Sequence, residues 1–312
     1  MLESMKIQTS LIATTLLLCS ITIVTESLPS LSEMKWHHDV DGGKENSYFG
    51  HIFFQEVHHS IPTHRDSDGN LYSLTTRGYG AFPGPTMVME KCKTYTLYLH
   101  NEMSPIQSAN GEGNEFFDIN SPLHNQFRSP NHTNMHLHGL HISPLPGADY
   151  PFSYAMPGET MIYKYEIPCD HMGGTYWYHS HMHGATTLQV GGGALGMLVI
   201  RDGEEDGLPS AISEMEEKFL ILHHLSKTEI EMAGTACEDQ VFETNIPDNT
   251  LLVNGAVEPE ITIAALQWHR LRTLYVSPRD NIILDFSQCA DVCTIQLLAK
   301  DGVYLHQIPR FV

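Results

Sequence analysis

Short hydrophobic segments rich in aromatic and β-branched residues dominate the chain from about residue 46. In the first half these segments are YFGHIFFQEV, YTLYLHN, NMHLHGLHI, MIYKYEI, TYWYHSH and LGMLVIRD, and turns that contain Gly or Pro separate them. Short runs of aromatic and β-branched residues between Gly and Pro turns are typical of β-strands. Long helical periodicity is scarce. The pattern predicts an all-β protein built as an antiparallel sandwich or barrel.

A second series of predicted strands follows an acidic, loop-like stretch that begins at Arg201. It comprises KFLILHHL, TLLVNG, EITIAAL, RLRTLYVS, NIILDF and CTIQLLAKDGVYL. The two series echo each other from Tyr79 and from Asn254, because each has a Gly-Ala turn, a proline, a hydrophobic strand and a strand that contains Thr-Leu-Tyr. The matched features lie 175 and 177 residues apart. This spacing favours duplication of one β-fold over a chance likeness between generic hairpins.

Composition and charge narrow the class of protein. The chain has 312 residues, of which 41% are hydrophobic, enough for the packed cores of two modest domains. Its 37 acidic and 17 basic residues give a net charge of −20, which disfavours binding to nucleic acid or to anionic membrane surfaces. The 20 histidines outnumber Lys and Arg together, and such an excess of imidazole indicates metal ligation.

The N-terminus predicts a secreted, extracellular protein. Lys6 precedes an apolar run from Leu11 to Val24, and small residues follow at a possible cleavage site in Thr25-Glu26-Ser27. The run is shorter than the ~20 residues that a membrane-spanning helix needs. Residues 1–27 are therefore predicted to be a removed signal peptide, with an uncleaved anchor as the alternative and no stable membrane span expected.

Secretion permits glycans and disulfides, and the sequence has candidates for both. Asn131-His132-Thr133 is the one glycosylation sequon, which predicts a glycoprotein, although the nearby histidine motifs leave a glycan little space. Five cysteines follow the predicted cleavage site: Cys92, Cys169, Cys237, Cys289 and Cys293. The odd number leaves at least one thiol free or paired outside the chain, and the connectivity stays open beyond the possibility of a local Cys289–Cys293 pair.

Two His-x-His pairs carry the candidate chemistry. MHLHG contains His136 and His138, and YHSHMHG contains His179 and His181. Residues i and i+2 of a strand project from the same face, so two neighbouring strands would bring four imidazoles together. Neutral imidazole binds copper, zinc, iron and nickel, and copper stands high in the affinity order. The sequence has neither an HExxH segment nor a Cys-x-x-Cys pair, which are common zinc patterns.

The surroundings of these pairs give them their specificity, since a chain this rich in histidine has roughly one His-x-His by chance. NMHLHGLH, GTYWYHSHMHG and GYGAFPGPT resemble the first cupredoxin domain of the three-domain multicopper oxidases, the group of laccases, ascorbate oxidases, ferroxidases and bilirubin oxidases. LQVGGGALGMLVIRD looks like the strand that closes that domain, and the stretch from TLLVNGAVEP to AKDGVYLHQIPR looks like the start of the second. The resemblance covers roughly residues 45–310.

The resemblance implies tandem cupredoxin domains, which are plastocyanin-like Greek-key β-sandwiches. The expected organisation is a signal peptide at 1–27, cupredoxin domain 1 at 45–203, an acidic linker at 204–217 and an incomplete cupredoxin domain 2 at 218–312. The family couples oxidation of a small reducing substrate to reduction of dioxygen to water, and it uses a type 1 copper and a trinuclear copper cluster. The reducing substrate of this chain stays unknown.

The resemblance also implies a role for each candidate site residue. His136 would bind the type 2 copper, and the type 3 copper pair would take His138, His179 and His181. Asp149 would support proton delivery, with an exposed turn aspartate as the alternative. His141 and His183 have no ligand counterpart in the family and are expected to support the site or lie at the surface, with extra ligands as the alternative. Trp177 and Tyr178 are expected to pack within the sheet, with an electron path as the alternative.

The sequence contains only half of the histidines that the family's trinuclear cluster requires. Past residue 200 the histidines are His223, His224, His269 and His306, and they form neither the His-x-x-His-x-His nor the His-Cys-His segment of the family. The chain is therefore expected to be a fragment that lacks the type 1 copper, is inactive alone, and needs a further C-terminal cupredoxin domain. The alternatives are a secreted copper-binding protein without turnover and a structural cupredoxin module.

Overall fold

The computed structural model describes residues 12–18, 27–39, 46–106, 127–237, 239–264, 266–287, 293–306 and 310–311. Strands dominate these residues and lie in three sheets, so the all-β prediction is confirmed. The helices are short: α1 (Thr186–Gly191), α2 (Ser210–Ser213), α3 (Lys227–Ala236) and a 3₁₀ turn (Glu204–Asp206). Within the described ranges no helix has the length and apolar character to cross a bilayer.

Two sheets build the first sandwich. The larger one has the order β12-β4-β3-β6-β8 with β2 beside β3, and the smaller one has the order β5-β10-β9-β7. Their strands in the first half of the chain are β2 (His37–His38), β3 (Ser47–Arg65), β4 (Leu71–Tyr79), β5 (Met87–Met89), β6 (Thr94–Asn101), β7 (His136–His138), β8 (Thr160–Glu166), β9 (Gly174–His179) and β10 (Leu195–Ile200). Fully buried Phe54, Leu97, Leu137 and Tyr178 belong to the core between the two sheets. We call the larger sheet the first sheet and the smaller one the second sheet.

The third sheet holds most of the second half, in the order β14-β13-β11-β15-β1-β16-β17 with β18 beside β16. Its strands are β1 (Ile12–Leu18), β11 (Glu217–Leu225), β13 (Thr250–Val253), β14 (Ala256–Val257), β15 (His269–Val276), β16 (Thr294–Lys300), β17 (Val303–Tyr304) and β18 (Arg310–Phe311), while β12 (Glu243–Thr244) joins the first sheet.

Both halves contain the same parallel strand pairing, as duplication of one β-fold predicts. In the first half β3 runs parallel to β6, and in the second half β11 runs parallel to β15. Thr96 of the first Thr-Leu-Tyr triplet pairs with Phe49, and Thr273 of the second triplet pairs with Leu220. The repeated sequence thus occupies the same strand of both halves.

Part of the predicted signal peptide lies inside the third sheet. β1 is antiparallel to β15 on one side and to β16 on the other. In the first half β8 takes the corresponding antiparallel place beside β6. An apolar run of extended backbone satisfies its hydrogen bonds in such a position. Residues 1–11 and 19–26 lie outside the described residues, and removal of residues 1–27 stays a prediction.

Two of the predicted strands are wrong. Neither the 260–264 part of EITIAAL nor NIILDF belongs to a strand, although Glu260 makes one isolated bridge to Ser27. The side chain of Ile283 in the second segment is 45% exposed. Both segments have the residues of a strand, but a strand also needs a free edge to pair with, and this requirement is not written in local sequence.

Cysteine pairing is partly settled. Cys92 and Cys169 form a disulfide that ties the turn before β6 to the chain after β8. Cys293 is also disulfide-bonded, whereas Cys237 is a free thiol whose pKa burial raises to about 11. Cys19 and Cys289 lie outside the described residues.

Buried ion pairs join the two halves. Arg77 on β4 contacts Asp239 at 2.5 Å, with both side chains almost fully buried. Arg270 and Arg272 on β15 contact Asp202, which follows β10, at 2.7 and 3.1 Å. The predicted acidic linker 204–217 is therefore not the only connection between the halves, and its Asp206 itself pairs with Lys91.

Candidate metal centre

Antiparallel pairing of β7 with β9 assembles the predicted histidines. In the register of these strands His136 lies opposite His179, and His138 lies opposite Trp177. Directly opposite residues project from the same face of a sheet. His136, His138 and His179 each offer a ring nitrogen, and the three nitrogens lie within 4.8 Å of one another. In the described part of the chain, no other three His, Cys, Asp or Glu side chains form such a group.

His181 follows the end of β9 and completes the histidine cluster, the name used below for His136, His138, His179 and His181. The centre of its ring lies 5.4 Å from that of His136 and 5.8 Å from that of His179. Its backbone N–H donates to Oδ1 of Asn134 at 2.8 Å. Its Nδ1 atom is buried and has no hydrogen-bond partner.

Hydrogen bonds orient the rings of two cluster members. Nδ1 of His179 donates to the backbone oxygen of Ser180 at 2.8 Å, which leaves Nε2 with its lone pair 3.3 Å from Nδ1 of His138. Nδ1 of His136 lies 2.9 Å from Oδ2 of Asp149, so the carboxylate accepts this proton and Nε2 of His136 keeps its lone pair. A carboxylate or carbonyl behind a histidine is the usual way to hold a metal-binding tautomer.

Burial favours the neutral, metal-binding form of three members of the histidine cluster. Burial lowers the pKa of His179 to about 3, and it also lowers the pKa values of His138 and His181. A protonated imidazole has no lone pair for a metal, whereas a neutral imidazole has one. At neutral pH these rings are therefore ready to act as ligands.

Asp149 is not an exposed turn residue, because only 9% of it is exposed. In addition to its contact with His136, its Oδ1 atom accepts the backbone N–H of Leu137 at 2.9 Å. The carboxylate is thus held by the same strand whose histidine it orients. This position fits the predicted support of the site.

Sequence reasoning missed a shell of buried amides around the histidine cluster. Asn134 donates from Nδ2 to the backbone oxygen of Pro151 at 2.7 Å while its Oδ1 atom holds His181. Gln189 on α1 donates to the backbone oxygens of Pro130 and His132 and accepts the hydroxyl of Ser180. The only signal in the sequence is proximity, because Asn134 stands two residues before His136 and Gln189 eight residues after His181.

Trp177 does more than fill the sheet. Its ring stacks on that of His179 with centroids 4.2 Å apart and lies 4.9 Å from that of His138. Tyr178, on the opposite face, is fully buried and donates its hydroxyl to the backbone oxygen of Pro85 at 2.6 Å. Tyr178 thus packs within the sheet as predicted, whereas the ring of Trp177 also covers one side of the histidine cluster.

His183 and His141, the two histidines without a predicted ligand role, lie in different surroundings. The ring of His183 lies 5.5 Å from that of His181 and stacks on Phe152. His141 instead pairs with His171, whose Nε2 atom accepts the backbone N–H of His141 at 3.0 Å. His183 therefore borders the histidine cluster, and His141 belongs to a different contact.

The family comparison agrees with this geometry. Residues 114–205, which include the whole histidine cluster, match the family model described as "Multicopper oxidase". This part of the chain is similar in sequence to the multicopper oxidases. The chain is also 26% identical over 208 residues to the iron transport multicopper oxidase FET3 of Saccharomyces cerevisiae, and this alignment covers 64% of this chain and 28% of that protein. It is 27% identical over 178 residues to the multicopper oxidase mco of Staphylococcus aureus, which covers 57% of this chain and 37% of that protein.

Solved structures support the cupredoxin fold of the domain. A multi-copper oxidase from Pediococcus acidilactici superposes with a TM-score of 0.52 at 20% identity, over 78% of this chain and 43% of that one. The chain spans about a third of the length of the curated relatives named above and under half of this structure.

The glycosylation sequon lies beside the buried amide of Gln189, which donates to the backbone oxygens of Pro130 and His132. Asn131 is 6% exposed, its Oδ1 atom accepts Nε–H of Arg77 at 2.7 Å, and its Nδ2 atom donates to the backbone oxygen of Ser104 at 2.7 Å. A glycan replaces a hydrogen on Nδ2 and needs open solvent around it. The folded domain has no space for a glycan at Asn131, so the predicted glycoprotein finds no support at its one sequon.

Proposed function

We propose that the chain is the front part of a copper-dependent oxidoreductase of the multicopper oxidase type, which couples oxidation of a small reducing substrate to reduction of dioxygen to water. The observation that carries the proposal is the histidine cluster, in which three ring nitrogens lie within 4.8 Å and a neighbouring buried Nδ1 atom of His181 has no partner. These neutral nitrogen donors suit copper.

The assignment of ligands follows the order of the two His-x-His pairs. His136 would hold the type 2 copper, and His138, His179 and His181 would hold type 3 copper. Nδ1 of His138 and Nε2 of His179 face each other at 3.3 Å, a spacing that two ligands of one metal ion take. Copper held by these residues would supply electron transfer and binding of dioxygen.

Asp149 would act through its contact with His136. Its carboxylate holds the proton of His136 on Nδ1, so the ring presents Nε2 to the metal. The same carboxylate lies beside the cluster, and reduction of dioxygen to water consumes protons that a carboxylate in this position could relay. We therefore assign Asp149 a role in positioning His136 and in supplying protons at its Oδ atoms.

The sequence supplies four of the eight histidines of the family's trinuclear cluster and no type 1 copper motif. This supports a chain that binds copper at the histidine cluster but turns over only together with a further cupredoxin domain. Secretion is proposed from the apolar run between Leu11 and Val24. The second candidate is a secreted copper-binding protein without turnover, which the same missing motifs favour.

Copper binding by the histidine cluster can be tested on the full chain. The unaltered chain, His179→Ala and the control His141→Ala are dialysed against copper, and the bound copper is measured. We expect His179→Ala to retain less copper than the other two, because it removes one cluster nitrogen. Equal copper in all three variants would contradict the proposal.

Oxygen consumption separates the two candidate functions. An oxygen electrode with a phenolic reductant follows turnover by the copper-loaded chain, and the same assay is applied to a longer chain if the transcript continues past the codon for Val312. Turnover only in the longer chain supports the oxidase. Copper binding without turnover in either chain supports the copper-binding protein.

A further inference from the structure

Two histidines reach across the boundary between the halves in opposite directions. His59 on β3 donates from Nε2 to the backbone oxygen of Gly255, in the second half, at 2.7 Å. His223 on β11 donates from Nε2 to the backbone oxygen of Gly191, at the end of α1 in the first half, also at 2.7 Å. Each half therefore gives the other one histidine hydrogen bond. A Cβ atom at Gly255 would lie 3.0 Å from Nε2 of His59, and its φ is 86°, so the close approach requires glycine.

The ring of Phe82 lies between these two histidines. The centre of this ring lies 5.1 Å from that of His59 and 5.4 Å from that of His223. Phe82 is 7% exposed and belongs to a core that includes Leu225 and Leu252 of the second half. The side chains of His59, Phe82 and His223, called the histidine clasp below, thus hold part of the boundary between the halves.

The ring of His223 has no place for a second proton. It is 1% exposed, and its Nδ1 atom is buried without a hydrogen-bond partner among the described residues. Protonation would add a charge and a second N–H group at this atom, and burying either one without a partner costs free energy. Burial accordingly lowers the pKa of His223 to about 4. His59 is half-buried, and burial lowers its pKa as well.

The surroundings of His223 do not stabilise a protonated ring. The residues opposite it on β13 and β15 are Leu252 and Val276, and neither β13, α1 nor the GAFPGP loop around Phe82 has a charged residue. His224 on the same strand lowers the pKa of His223 further, and His58 does the same to His59.

The charged groups on the elements around His223 have partners elsewhere or lie at the far ends of their strands. The far-end residues of β11 and β15 are Glu217, Lys218, His269, Arg270 and Arg272. The described contacts of the others are Glu229 with Arg279 at 2.9 Å, Glu231 with Lys227 at 3.6 Å and Asp280 with His224 at 3.7 Å. No carboxylate among them contacts the ring of His223.

Mild acid affects the histidine clasp but not the ion pairs between the halves. Asp202 has a pKa of about 2, and the hydrogen bond and charge of Arg77 outweigh burial and lower the pKa of Asp239 below 3.8. The folded pKa of His223 lies below the ordinary value of 6.5, so the open chain binds this proton more readily. The stabilisation from neutral His223 is therefore complete above pH 6.5 and falls as the pH drops toward 4.

We propose that the histidine clasp is an acid-sensitive contact between the halves, which protonation of His223 opens by releasing α1 and Phe82 from β11. The clasp goes beyond the proposed function, because it needs no copper and uses no residue of the histidine cluster. It would hold the halves together at neutral pH and loosen them in mildly acidic surroundings.

Denaturant unfolding of the full chain at pH 7.0 and pH 4.5 tests the clasp. The unaltered chain is compared with His223→Gln, which keeps an N–H donor for Gly191 but has no titrating ring. His224→Gln is the matched control, because His224 is the next residue of the same strand and only partly buried. The other histidines titrate equally in all three proteins, so the comparison isolates His223.

We expect the unfolding equilibrium constant to rise roughly 50-fold more between the two pH values in the unaltered chain and in His224→Gln than in His223→Gln. Amide hydrogen exchange, corrected for the intrinsic effect of pH, locates the opening. Exchange at pH 4.5 should quicken in α1 and around Gly255 but not in β6, and less so in His223→Gln.

Equal pH dependence in all three proteins would overturn the proposal, and so would faster exchange that leaves α1 and Gly255 unchanged. A nuclear magnetic resonance titration of the unaltered chain gives a test that does not depend on the folding of any variant. The ring of His223 should stay neutral in the folded chain at pH 5, and a ring that titrates near pH 6.5 would overturn the proposal.

Discussion

At the scale of the residue, Asp149 shows how a carboxylate can orient a histidine of the proposed copper site. Its two oxygen atoms serve the side chain of His136 and the backbone of Leu137. An amide in the same place could still accept one hydrogen bond, but it would lose the negative charge that favours the proton on Nδ1 of His136.

We expect Asp149→Asn to weaken copper binding at the histidine cluster by roughly 10–100-fold, the usual effect of removing a group that orients a metal-bound histidine. A copper titration measures the change. Asp170→Asn is the control, because Asp170 is exposed. Unchanged affinity in Asp149→Asn would show that the carboxylate does not act through His136.

Asn131 gives a second prediction at this scale. After expression in a eukaryotic secretory host, we expect the Asn131 peptide of the folded protein to carry no glycan, because both atoms of its side-chain amide are used inside the fold. Mass spectrometry of tryptic peptides measures occupancy. A glycan on folded, copper-binding protein would contradict the buried position.

The sequence predicts the histidine cluster better than its surroundings, for a physical reason. Period-two spacing places His136 and His138 on one face of β7 and depends only on local geometry, whereas His179 shares that face through the pairing of β7 with β9. The roles of Asn134 and Gln189 depend on which distant carbonyl each amide reaches after folding. No spacing rule encodes such a contact, so these residues were not predicted.

At the scale of the element, the pairing of β9 with β10 positions the histidine cluster. Gly196 lies opposite Tyr178 in this pair, and a Cβ atom at Gly196 would lie 2.4 Å from the phenol ring of Tyr178. The fully buried tyrosine has no room to withdraw. The small residue on β10 therefore allows the aromatic strand β9 to lie flat against the core.

We expect Gly196→Ala to lower the free energy of unfolding by roughly 1–3 kcal/mol, since overpacking a dense core costs about this much. Thermal or denaturant unfolding measures the loss. Ile162→Ala on β8 is the control, because 54% of Ile162 is exposed and the change should be within about 0.5 kcal/mol. Equal stability of both variants would contradict the contact.

The sequence predicts a strand well when its neighbours in the sheet follow from the repeated β-fold. It predicts less well the strands that pair outside this repeat. YTLYLHN and RLRTLYVS became β6 and β15, the equivalent strands of the two halves. β12 joins the first sheet from the second half, and β1 enters the third sheet from the predicted signal peptide. Both placements depend on vacant edges, which local alternation does not reveal.

At the scale of the whole molecule, Asp202 links the halves through Arg270 and Arg272. Burial opposes ionisation of this carboxyl, but the hydrogen bond from Arg270 and the charges of both arginines outweigh burial and lower its pKa to about 2. The tyrosine hydroxyl of Tyr304 also donates to Asp202. The ionised carboxylate is thus the partner of two fully buried cations.

The ion pairs of Asp202 with Arg270 and Arg272 predict that the folded protein loses stability in acid. The folded pKa of about 2 lies below the ordinary value of 3.8, so the stabilisation is complete above roughly pH 4 and disappears as the pH falls toward 2. The loss should be about 2 kcal/mol. Denaturant unfolding at several pH values between 4 and 2 measures this loss in the free energy of unfolding.

The variant Asp202→Asn separates this contribution from those of other carboxyl groups. It should cost roughly 3–5 kcal/mol at neutral pH, because two buried guanidinium groups lose their main partner. It should also lose stability less steeply than the unaltered chain between pH 4 and 2. Identical slopes in the two proteins would mean that Asp202 does not titrate with folding.

The strand pairing and the ion pairs between the halves should hold a proteolytically cut chain together. The stretch that includes exposed Ser210 and Glu214 offers a protease a place to cut. The Arg77–Asp239 pair, the Asp202 contacts and the pairing of β12 with β4 would all survive that cut. A nicked chain should therefore run as two bands on a denaturing gel yet elute as one particle from a sizing column, and separation into two particles on the column would show that the covalent link is required.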